Sequence, residues 1–245
     1  MRTALVTGAN KSIGFETAKI LAQNGYKVFL GARDEQKGKA AVAQLQAAGV
    51  NNIIPVHLDV TDPSSVQAAK QFIAQETGSL DVLVNNAGIL GTFPQPATTM
   101  PVADIREVFD TNFFGTITVT QIFLELLQQS KQPVIVNITS GLASLTLHDD
   151  SSWVYYGAKT AAYGPSKTAL NAYTQALFVE LKEKGFKVNI VDPGYTATDF
   201  NHHSGNGTAA DAAAFVAPYA MLGADGPTGK YFSRDIAAED RVSPW

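Results

Sequence analysis

The sequence contains no cysteine, which excludes disulfide bonds, thiolate catalysis, iron–sulfur clusters and cysteine-type zinc sites. A lack of cysteine is typical of a reducing compartment. The first residues hold no apolar stretch long enough for a secretory signal, and no segment approaches the roughly 18 consecutive apolar residues of a membrane-spanning helix. We therefore predict a cytoplasmic protein without a membrane partner.

Charge is also scarce. Charged residues make up 16% of the 245 residues, compared with roughly 25% in an average soluble domain. The formal net charge is −4, whereas nucleic-acid-binding proteins usually carry a basic surface. The composition therefore argues against a nucleic-acid partner, and the 45% of hydrophobic residues is enough for one large core.

Histidine, the remaining common metal ligand, is rare. Only His202 and His203 lie close together among the four histidines. Two adjacent residues rarely ligate the same metal ion, so we predict that both are loop residues and that the protein has no metal site.

Short apolar runs alternate with helical patterns along the whole chain. The runs are 4–6, 28–30, 53–56, 82–84, 134–138, 188–191 and 231–232. Runs this short and apolar are typical of parallel strands that are covered on both faces. Because crossovers between parallel strands are right-handed, the pattern predicts one α/β domain over 1–245. Its architecture is a doubly wound, Rossmann-like parallel sheet of about seven strands with helices on both faces.

Ligands of such sheets bind beyond the carboxyl ends of the strands, which directs attention to the residues after each run. The first of these loops, 7–14, leads into a helix. Its glycines allow close approach of a phosphate, and the helix N-terminus offers free N–H groups. The loop resembles the T-G-x-x-x-G-x-G motif of the short-chain dehydrogenase/reductase family, with Ser12 in place of the middle glycine. The Cβ of Ser12 narrows the space for the phosphate, but its hydroxyl can donate a hydrogen bond to a phosphate oxygen. We therefore expect the cofactor still to bind.

Other loops carry the same resemblance. Asn85–Gly88 resembles the family's N-N-A-G motif, which supports the sheet and lines the adenosine side, and Asp59–Val60 resembles its adenine-contacting pair. For Asp59, a simple turn or cap residue is the alternative. The resemblance assigns these loop residues to the cofactor site: Gly8, Asn10, Lys11, Ser12, Ile13, Gly14, Asp59, Val60, Asn86, Ala87 and Gly88.

The end of the second strand bears on the choice of cofactor. An acidic residue there would hold the ribose 2′-hydroxyl of NADH, but the sequence has Ala32. Arg33 follows and can bind a 2′-phosphate through its guanidinium, and Lys11 supplies a second positive charge. Asp34 is the counter-argument, because it is able to reach a ribose. The sequence predicts NADPH in preference to NADH.

Tyr163 and Lys167 are four residues apart, a spacing that puts both on one face of a helix. A nearby ammonium stabilises a phenolate and lowers the pKa of the tyrosine. The pair and the residues after it resemble the family's catalytic Y-x-x-x-K motif. Tyr155 and Lys159 have the same spacing and are the alternative. The interval from Lys167 to Pro193 is the usual one in the family and favours the first pair.

Two further positions complete the family's catalytic set. Ser140, at the end of the fifth run, resembles the catalytic serine, with Thr139 as the alternative hydroxyl. The interval from Ser140 to Tyr163 is longer than usual, which predicts an insertion at about 145–162 over the pocket mouth. Asn112 resembles the family's asparagine that holds a water molecule linking the lysine to solvent; a buried, fully bonded asparagine is the alternative.

The loop after the sixth run resembles the family's P-G motif, in which Pro193 and Gly194 contact the nicotinamide. Thr196 or Thr198 then holds the carboxamide. The next stretch is rich in glycine, asparagine and alanine, and we predict a substrate lid over about 195–222.

The resemblance extends from Thr7 to about Phe232 and implies an NADPH-dependent carbonyl reductase acting on a small-molecule ketone or aldehyde. Tyr163 would donate the proton, Ser140 would steady the carbonyl oxygen, and Lys167 would bind the nicotinamide ribose. An oxoacyl-thioester reductase and a secondary-alcohol dehydrogenase are alternatives within the family. A non-catalytic NADP sensor is the alternative of another class.

The candidate pocket residues are apolar or aromatic and suit hydrophobic ketones, including aryl ketones: Leu142, Ala143, Leu145, Trp153, Tyr156, Tyr195 and Phe200. Members of the family commonly form dimers or tetramers through two long helices, including the one that carries the catalytic tyrosine. Because the insertion lies next to that helix, the sequence is compatible with a homo-oligomer and with a monomer.

Overall fold

The computed structural model describes all 245 residues and contains one sheet of seven parallel strands. The strands are β1 (Thr3–Val6), β2 (Lys27–Ala32), β3 (Ile53–His57), β4 (Val82–Asn85), β5 (Val134–Ile138), β6 (Lys187–Asp192) and β7 (Tyr231–Ser233). Their order across the sheet is β3-β2-β1-β4-β5-β6-β7. The chain changes direction across the sheet between β1 and β4, and this opens a crevice at their carboxyl ends. The predicted doubly wound sheet is confirmed.

Eight α-helices connect the strands. They are α1 (Ser12–Gln23), α2 (Glu35–Ala47), α3 (Pro63–Thr77), α4 (Val102–Phe109), α5 (Thr116–Gln128), α6 (Leu145–Asp149), α7 (Tyr163–Leu181) and α8 (Ala209–Ala220). A wider π-helical turn, Asp110–Gly115, joins α4 to α5. None of the helices is both long enough and apolar enough to cross a membrane.

The core lies in two layers, one on each face of the sheet. Alternate residues of a strand enter different layers: Ala4 and Val6 pack on the side of α1, whereas Leu5 packs on the side of α3 and α5. This follows from the pleat, since successive side chains of a strand point to opposite faces. Both faces are covered, which is why the strands appear in the sequence as continuous apolar runs.

Helix ends follow local signals. The Asp62 side chain accepts a hydrogen bond from the Ser64 backbone N–H at 2.9 Å, and Pro63 is the first residue of α3, as its ring geometry favours. At its C-terminal end, α7 stops at Leu181, and the chain continues only as a tighter 3₁₀ turn to Lys184. Gly185 then reverses the chain with a φ of +78°.

The predicted lid over 195–222 divides into two different parts. Residues 195–208 form irregular loops, whereas 209–220 form α8, which packs against α1 with Ala213 and Val216 fully buried. The lid prediction is therefore wrong for this second part, which belongs to the core. Its many alanines, which suggested a flexible segment, have small side chains that allow close packing of the helix.

Candidate active site

The carboxyl ends of the strands bring the predicted site residues to one edge of the sheet. We call the segments 7–14, 85–91, 138–141 and 163–167 the floor of the site. We call the segments 144–162 and 195–208 its cover. The floor is buried or half-buried except at Lys11, Gly91 and Pro165, and the cover lies outside it with many exposed residues.

The loops after β1 and β4 form one tightly packed unit. The Thr7 hydroxyl accepts hydrogen bonds from the Asn86 and Ala87 backbone N–H groups, both at 3.0 Å. In return the Asn86 side chain donates to the carbonyl of Thr7 at 2.9 Å and to that of Gly8 at 3.1 Å. A Cβ added to Gly8 would lie 2.8 Å from the Cα of Ala87, and one on Gly14 would lie 2.5 Å from Asn86 Nδ2. Both glycines are therefore required by close packing.

Ser12 has a left-handed backbone, with a φ of +54°, at the first residue of α1. This conformation costs a residue with a Cβ about 1–2 kcal/mol, whereas glycine adopts it freely. No side chain caps the N-terminus of α1, so its N–H groups are available to an anion. The serine at this position therefore carries a backbone penalty in addition to the crowding that the sequence suggests.

Arg33 and Asp34, at the end of β2, differ in whether their side chains have partners within the protein. Arg33 is exposed and makes no hydrogen bond or ion pair. Asp34 is engaged: its side chain accepts from the Lys37 backbone N–H at 3.0 Å and lies 3.3 Å from the Lys37 ammonium. The backbone hydrogen bond, followed by the ammonium, lowers the pKa of Asp34. Lys11, the other predicted cation, pairs at 3.1 Å with Asp199 of the cover.

Asp59 and Val60 have structural roles of their own. The Asp59 carboxylate accepts from the Thr61 backbone N–H at 2.9 Å and from its hydroxyl at 2.7 Å, closing a tight turn. Val60 is buried against Gly115, where an added Cβ would lie 2.8 Å from Val60 Cγ2. The turn that the sequence offers as an alternative for Asp59 is present, and the adenine contact stays a prediction.

The structure places Tyr163 and Lys167 on one face of α7, both buried. The Lys167 Nζ lies 6.0 Å from the centre of the Tyr163 ring and donates to the carbonyl of Ile138 at 2.9 Å. Tyr155 and Lys159 lie in turns outside any helix, and the exposed Lys159 is bonded to a histidine of the cover. Only the first pair shares a helix face.

The protonation of this pair differs from the expectation. Burial raises the pKa of Tyr163 well above its ordinary value, and the negative charge of Asp192 raises it further. The Ser140 hydroxyl acts in the opposite direction, because it can donate to a phenolate. Burial also lowers the pKa of Lys167 to about 8. The predicted lowering of the tyrosine pKa by the lysine is therefore absent, since the ammonium points to Ile138 and burial dominates.

Ser140 and Thr139 make different contacts. The Thr139 hydroxyl is buried and donates to Asn171 Oδ1 at 2.8 Å. The Ser140 hydroxyl faces the site and accepts only from the Leu142 backbone N–H, at 3.2 Å. Of the two hydroxyls considered from the sequence, Ser140 is the one with a donor proton free for a ligand.

Asn112 lies in the π-helical turn and is fully buried. Its amide group donates to the carbonyl of Ile89 at 2.9 Å and to the Ser166 hydroxyl at 3.1 Å, and its oxygen accepts from the Ile89 N–H at 2.8 Å. A Cβ added to Gly88 would lie 3.2 Å from Asn112 Oδ1 and 3.5 Å from Lys167 Nζ. Asn112 thus holds the 85–91 loop beside the lysine, and its predicted link to a water molecule stays a prediction.

The loop after β6 fixes the remaining predicted cofactor residues. Gly194 follows Pro193 with a φ of +76°. The Thr196 hydroxyl donates to the carbonyl of Gly194 at 3.0 Å, and Thr198 is joined to Asn201 by reciprocal hydrogen bonds. Both threonines are buried.

Gln95 is a functional-site residue that the sequence reasoning missed. Its side-chain oxygen accepts from the N–H groups of Tyr163 at 3.0 Å and Ala162 at 3.2 Å, and its amide donates to the carbonyl of Leu90 at 2.7 Å. It therefore takes the place of an N-cap for α7 and fixes the backbone of the tyrosine. A glutamine between two prolines gives no sequence signal for such a contact, which spans 68 residues.

Aromatic rings build the cover. Trp153 contacts His148 and Tyr155 edge to face, at ring-centre distances of 5.3 and 5.5 Å, and Tyr155 contacts Tyr195 at 5.7 Å. Phe200 lies edge to face against Tyr163 at 5.4 Å. These rings enclose the outer side of the site, as expected for an apolar pocket.

Two of the predicted pocket residues have other places. Ala143 is buried, and its carbonyl accepts from the Thr168 hydroxyl at 3.0 Å, so it belongs to the fold. Leu145 is 66% exposed on the outer surface, at the first residue of α6.

The two adjacent histidines lie at the far end of the cover, where His203 pairs with Asp199 at 2.9 Å. No group of three possible metal ligands exists in the structure.

The sheet, with its change of direction at β1 and β4 and a close-packed glycine loop at that point, defines a nucleotide-binding α/β protein. The buried tyrosine–lysine pair beside the crevice adds a candidate acid–base site. The sequence profile described as short chain dehydrogenase matches residues 2–208 of this chain. The chain belongs to the short-chain dehydrogenase family.

Individual proteins agree with this assignment. Salutaridine reductase of Papaver bracteatum is 31% identical, over 95% of this chain and 94% of that protein. The structure of salutaridine reductase from Papaver somniferum, also 31% identical, has a TM-score of 0.83 and is matched over 96% of this chain and 100% of that one. NADPH-bound carbonyl reductase from chicken fatty liver, 26% identical, has a TM-score of 0.85 over 100% of this chain and 99% of that one.

Proposed function

We propose that this protein reduces a ketone or aldehyde to an alcohol with NADPH as the hydride donor. The observation that carries the proposal is the convergence of the Ser140 hydroxyl with the buried Tyr163 and Lys167 at the carboxyl edge of the sheet. NADPH supplies the hydride when it is bound. The similar carbonyl reductase from chicken fatty liver, whose structure contains NADPH, supports this class of reaction.

The loops after β1 and β2 provide groups that would hold the cofactor. The uncapped N-terminus of α1 and the close-packed glycines Gly8 and Gly14 suit a pyrophosphate. Arg33 has no partner in the protein and would bind the 2′-phosphate, with Lys11 nearby. Asp34 is engaged as the cap of α2, which removes the acidic group that favours NADH.

Tyr163 would give its hydroxyl proton to the oxygen that becomes negatively charged as the carbonyl is reduced. An alkoxide is far more basic than a phenolate, so a tyrosine with a raised pKa still transfers its proton. Oxidation of an alcohol would instead start from the phenolate, which burial disfavours here. The protonated Tyr163 therefore favours reduction over a secondary-alcohol dehydrogenase working oxidatively.

Ser140 would donate a hydrogen bond to the same oxygen and stabilise its developing charge. Lys167 would bind the nicotinamide ribose through its buried ammonium. Asn112 would hold the adjoining loop in place through Ile89. Catalysis would thus rest on fixed donors in a site sheltered from water.

The cover favours bulky, hydrophobic carbonyl compounds. The uncharged aromatic rings of Trp153 and Phe200 lie at the outer side of the site. Aromatic rings bind other flat apolar groups well, so aryl ketones are the substrates expected to react best.

The proposal is tested by initial rates of NADPH and NADH oxidation over a panel of aryl ketones, alkyl ketones, aldehydes, oxoacyl thioesters and sugars. We expect turnover with NADPH, fastest on aryl ketones. Tight NADPH binding without turnover on any of these compounds would instead indicate a non-catalytic sensor.

A further inference from the structure

Asp192, the last residue of β6, is a buried carboxylate to which the reaction described so far gives no role. It is 3% exposed. One carboxylate oxygen, Oδ1, accepts from the Gly194 backbone N–H at 3.0 Å, and the other, Oδ2, accepts from the Ser233 hydroxyl of β7 at 2.7 Å. A buried carboxylate is costly to maintain unless it is hydrogen-bonded in this way, so its place beside the site calls for an explanation.

The same carboxylate also contacts the turn that carries Ser140. The Gly141 backbone N–H faces it and favours its ionised form, and a Cβ added to Gly141 would lie 3.4 Å from Asp192 Oδ2. From β7, the Tyr231 hydroxyl donates to the carbonyl of Ser140 at 2.7 Å. The Ser140 turn, the Pro193–Gly194 loop and β7 therefore meet at Asp192.

We propose that Asp192 is a positioning residue, which fixes the Ser140 turn relative to the Pro193–Gly194 loop and places a negative charge behind Tyr163. The role rests on the proposed function, because these two segments are the ones expected to hold the carbonyl oxygen and the nicotinamide. A single side chain in contact with both keeps the spacing between oxygen and hydride donor constant, and reaction rates depend steeply on that spacing.

The charged and titratable groups around Asp192 determine how its negative charge acts on Tyr163. Tyr163 faces it from α7, Tyr231 from β7, Tyr155 from the cover, and Asp235 from the segment after β7. None of them is a cation. Burial, with a smaller contribution from Asp235, raises the pKa of Asp192 to about 6, so the carboxyl is ionised at higher pH. Its charge then opposes formation of the Tyr163 phenolate.

The test is Asp192→Asn, with Asp81→Asn as the matched control. Asp81 precedes β4 at the amino ends of the strands. It accepts from the Thr3 backbone N–H at 2.7 Å, from the Thr3 hydroxyl at 3.1 Å and from the Ser130 hydroxyl at 2.5 Å. In Asp192→Asn we expect kcat to fall about tenfold with little change in the KM for NADPH. The further alkaline decrease of kcat, which follows loss of the Lys167 proton and reports deprotonation of Tyr163, should move to lower pH by about one unit. The control should keep the wild-type pH profile.

A measurement without turnover separates this proposal from the proposed function. Tyrosinate absorbance is titrated in the wild type and in Asp192→Asn, and again in each of them after Tyr163→Phe is added. Subtracting the curve without Tyr163 from the curve with it isolates the titration of this one of the eight tyrosines. We expect the isolated Tyr163 titration to move to lower pH in Asp192→Asn. An inactive wild type would defeat only the proposed function, because this titration still reports on Asp192.

Coincident pH profiles and coincident Tyr163 titrations in wild type and Asp192→Asn would overturn the proposal and leave Asp192 a merely structural residue. If Asp192→Asn does not fold, Asp192→Ser, which keeps a short hydrogen-bonding group without the charge, takes its place with the same two outcomes. Ser233→Ala keeps the charge and loses one hydrogen bond. It should lower kcat without moving the alkaline limb, and a shift of that limb in this variant would contradict the assignment of charge to Asp192.

Discussion

The polar side chains that hold the floor of the active site and the aromatic side chains of its cover make different kinds of contact. The floor is held by Asn86, Asn112 and Gln95, each of which joins segments that are distant in sequence through hydrogen bonds of 2.7–3.2 Å. In the cover, Trp153 and Phe200 are held mainly by edge-to-face ring contacts at about 5 Å. Hydrogen bonds are directional, whereas ring contacts tolerate small displacements.

The difference suggests a division of labour between the two regions. Directional bonds in the floor fix the atoms that move protons and hold the cofactor. Apolar contacts in the cover decide which molecules fit. Changes in the floor should therefore alter kcat or the choice of cofactor, and changes in the cover should alter the KM for the carbonyl substrate.

The largest expected effect is that of Tyr163→Phe in the floor. The variant keeps the ring against Phe200 and loses only the hydroxyl, so kcat should fall by about 10³-fold while the Kd for NADPH stays close to that of the wild type. Steady-state kinetics and fluorescence titration measure the two quantities. Tyr155→Phe, the same change in the cover, is the control and should keep most of its kcat. Near-native turnover of Tyr163→Phe would disprove the mechanism.

Lys167→Met tests the cost of a charge buried in the floor. The folded pKa of about 8 lies below the unfolded value of 10.5, so the buried ammonium destabilises the protein below pH 8, and this penalty disappears as the pH rises to 10.5. We expect kcat to fall about 10²-fold and the free energy of unfolding at pH 7 to rise by about 1–3 kcal/mol. Urea denaturation at pH 7 and pH 10 should show the gain shrinking with pH. A loss of stability at both values would refute this account.

Arg33→Ala addresses cofactor choice without touching the catalytic groups. Losing the guanidinium should lower the ratio of kcat/KM for NADPH to that for NADH by about 10–100-fold, which corresponds to a charge-assisted contact of about 1.4–2.8 kcal/mol. Lys184→Ala, an exposed cation next to the amino end of β6, is the control for the change in net charge. An unchanged ratio would mean that another group selects the cofactor.

Trp153→Ala is the matching change in the cover. Its ring lies against the Ser140 turn, with Cζ2 at 3.4 Å from a Cβ position on Gly141. We expect the KM for aryl ketones to rise about tenfold and kcat to change by less than about threefold, because the lost contacts bind substrate and transition state alike. Val154→Ala, next to it and 80% exposed, should behave as the wild type. A large loss of kcat with unchanged KM would contradict the proposal that the cover acts on substrate binding and the floor on the chemical step.

Ser12→Gly is expected to have the smallest effect. Glycine relieves the left-handed backbone at φ +54°, but it also makes the unfolded chain more flexible. The net gain in the free energy of unfolding should be about 0.5–1 kcal/mol. Thermal unfolding of Ser12→Gly and Ser12→Ala provides the comparison, since alanine keeps the strain. A glycine variant less stable than the alanine variant would show that the greater flexibility of the unfolded chain outweighs the relief of backbone strain, and would contradict this account.

Much of the fold could be predicted because its signals are local. Continuous apolar runs mark strands that are covered on both faces, and Asp62-Pro63 marks the start of α3 within two residues. Helix α8 shows the limit of such signals. Its alanines are compatible with a flexible segment and with a tightly packed helix, and only the presence of α1 beside it decides between them.

The sequence by itself determined the order of the strands and helices, the glycines of the first loop and the helical spacing of Tyr163 and Lys167, since each depends on a few neighbouring residues. The tertiary structure alone decided which groups are buried together. Gln95, Asp192 and Tyr231 reach the site from segments 41–91 residues away from their partners, and burial raises the tyrosine pKa that the spacing led us to expect lowered. Such contacts and the loss of water around a charge arise from packing, and packing has no counterpart in the local sequence.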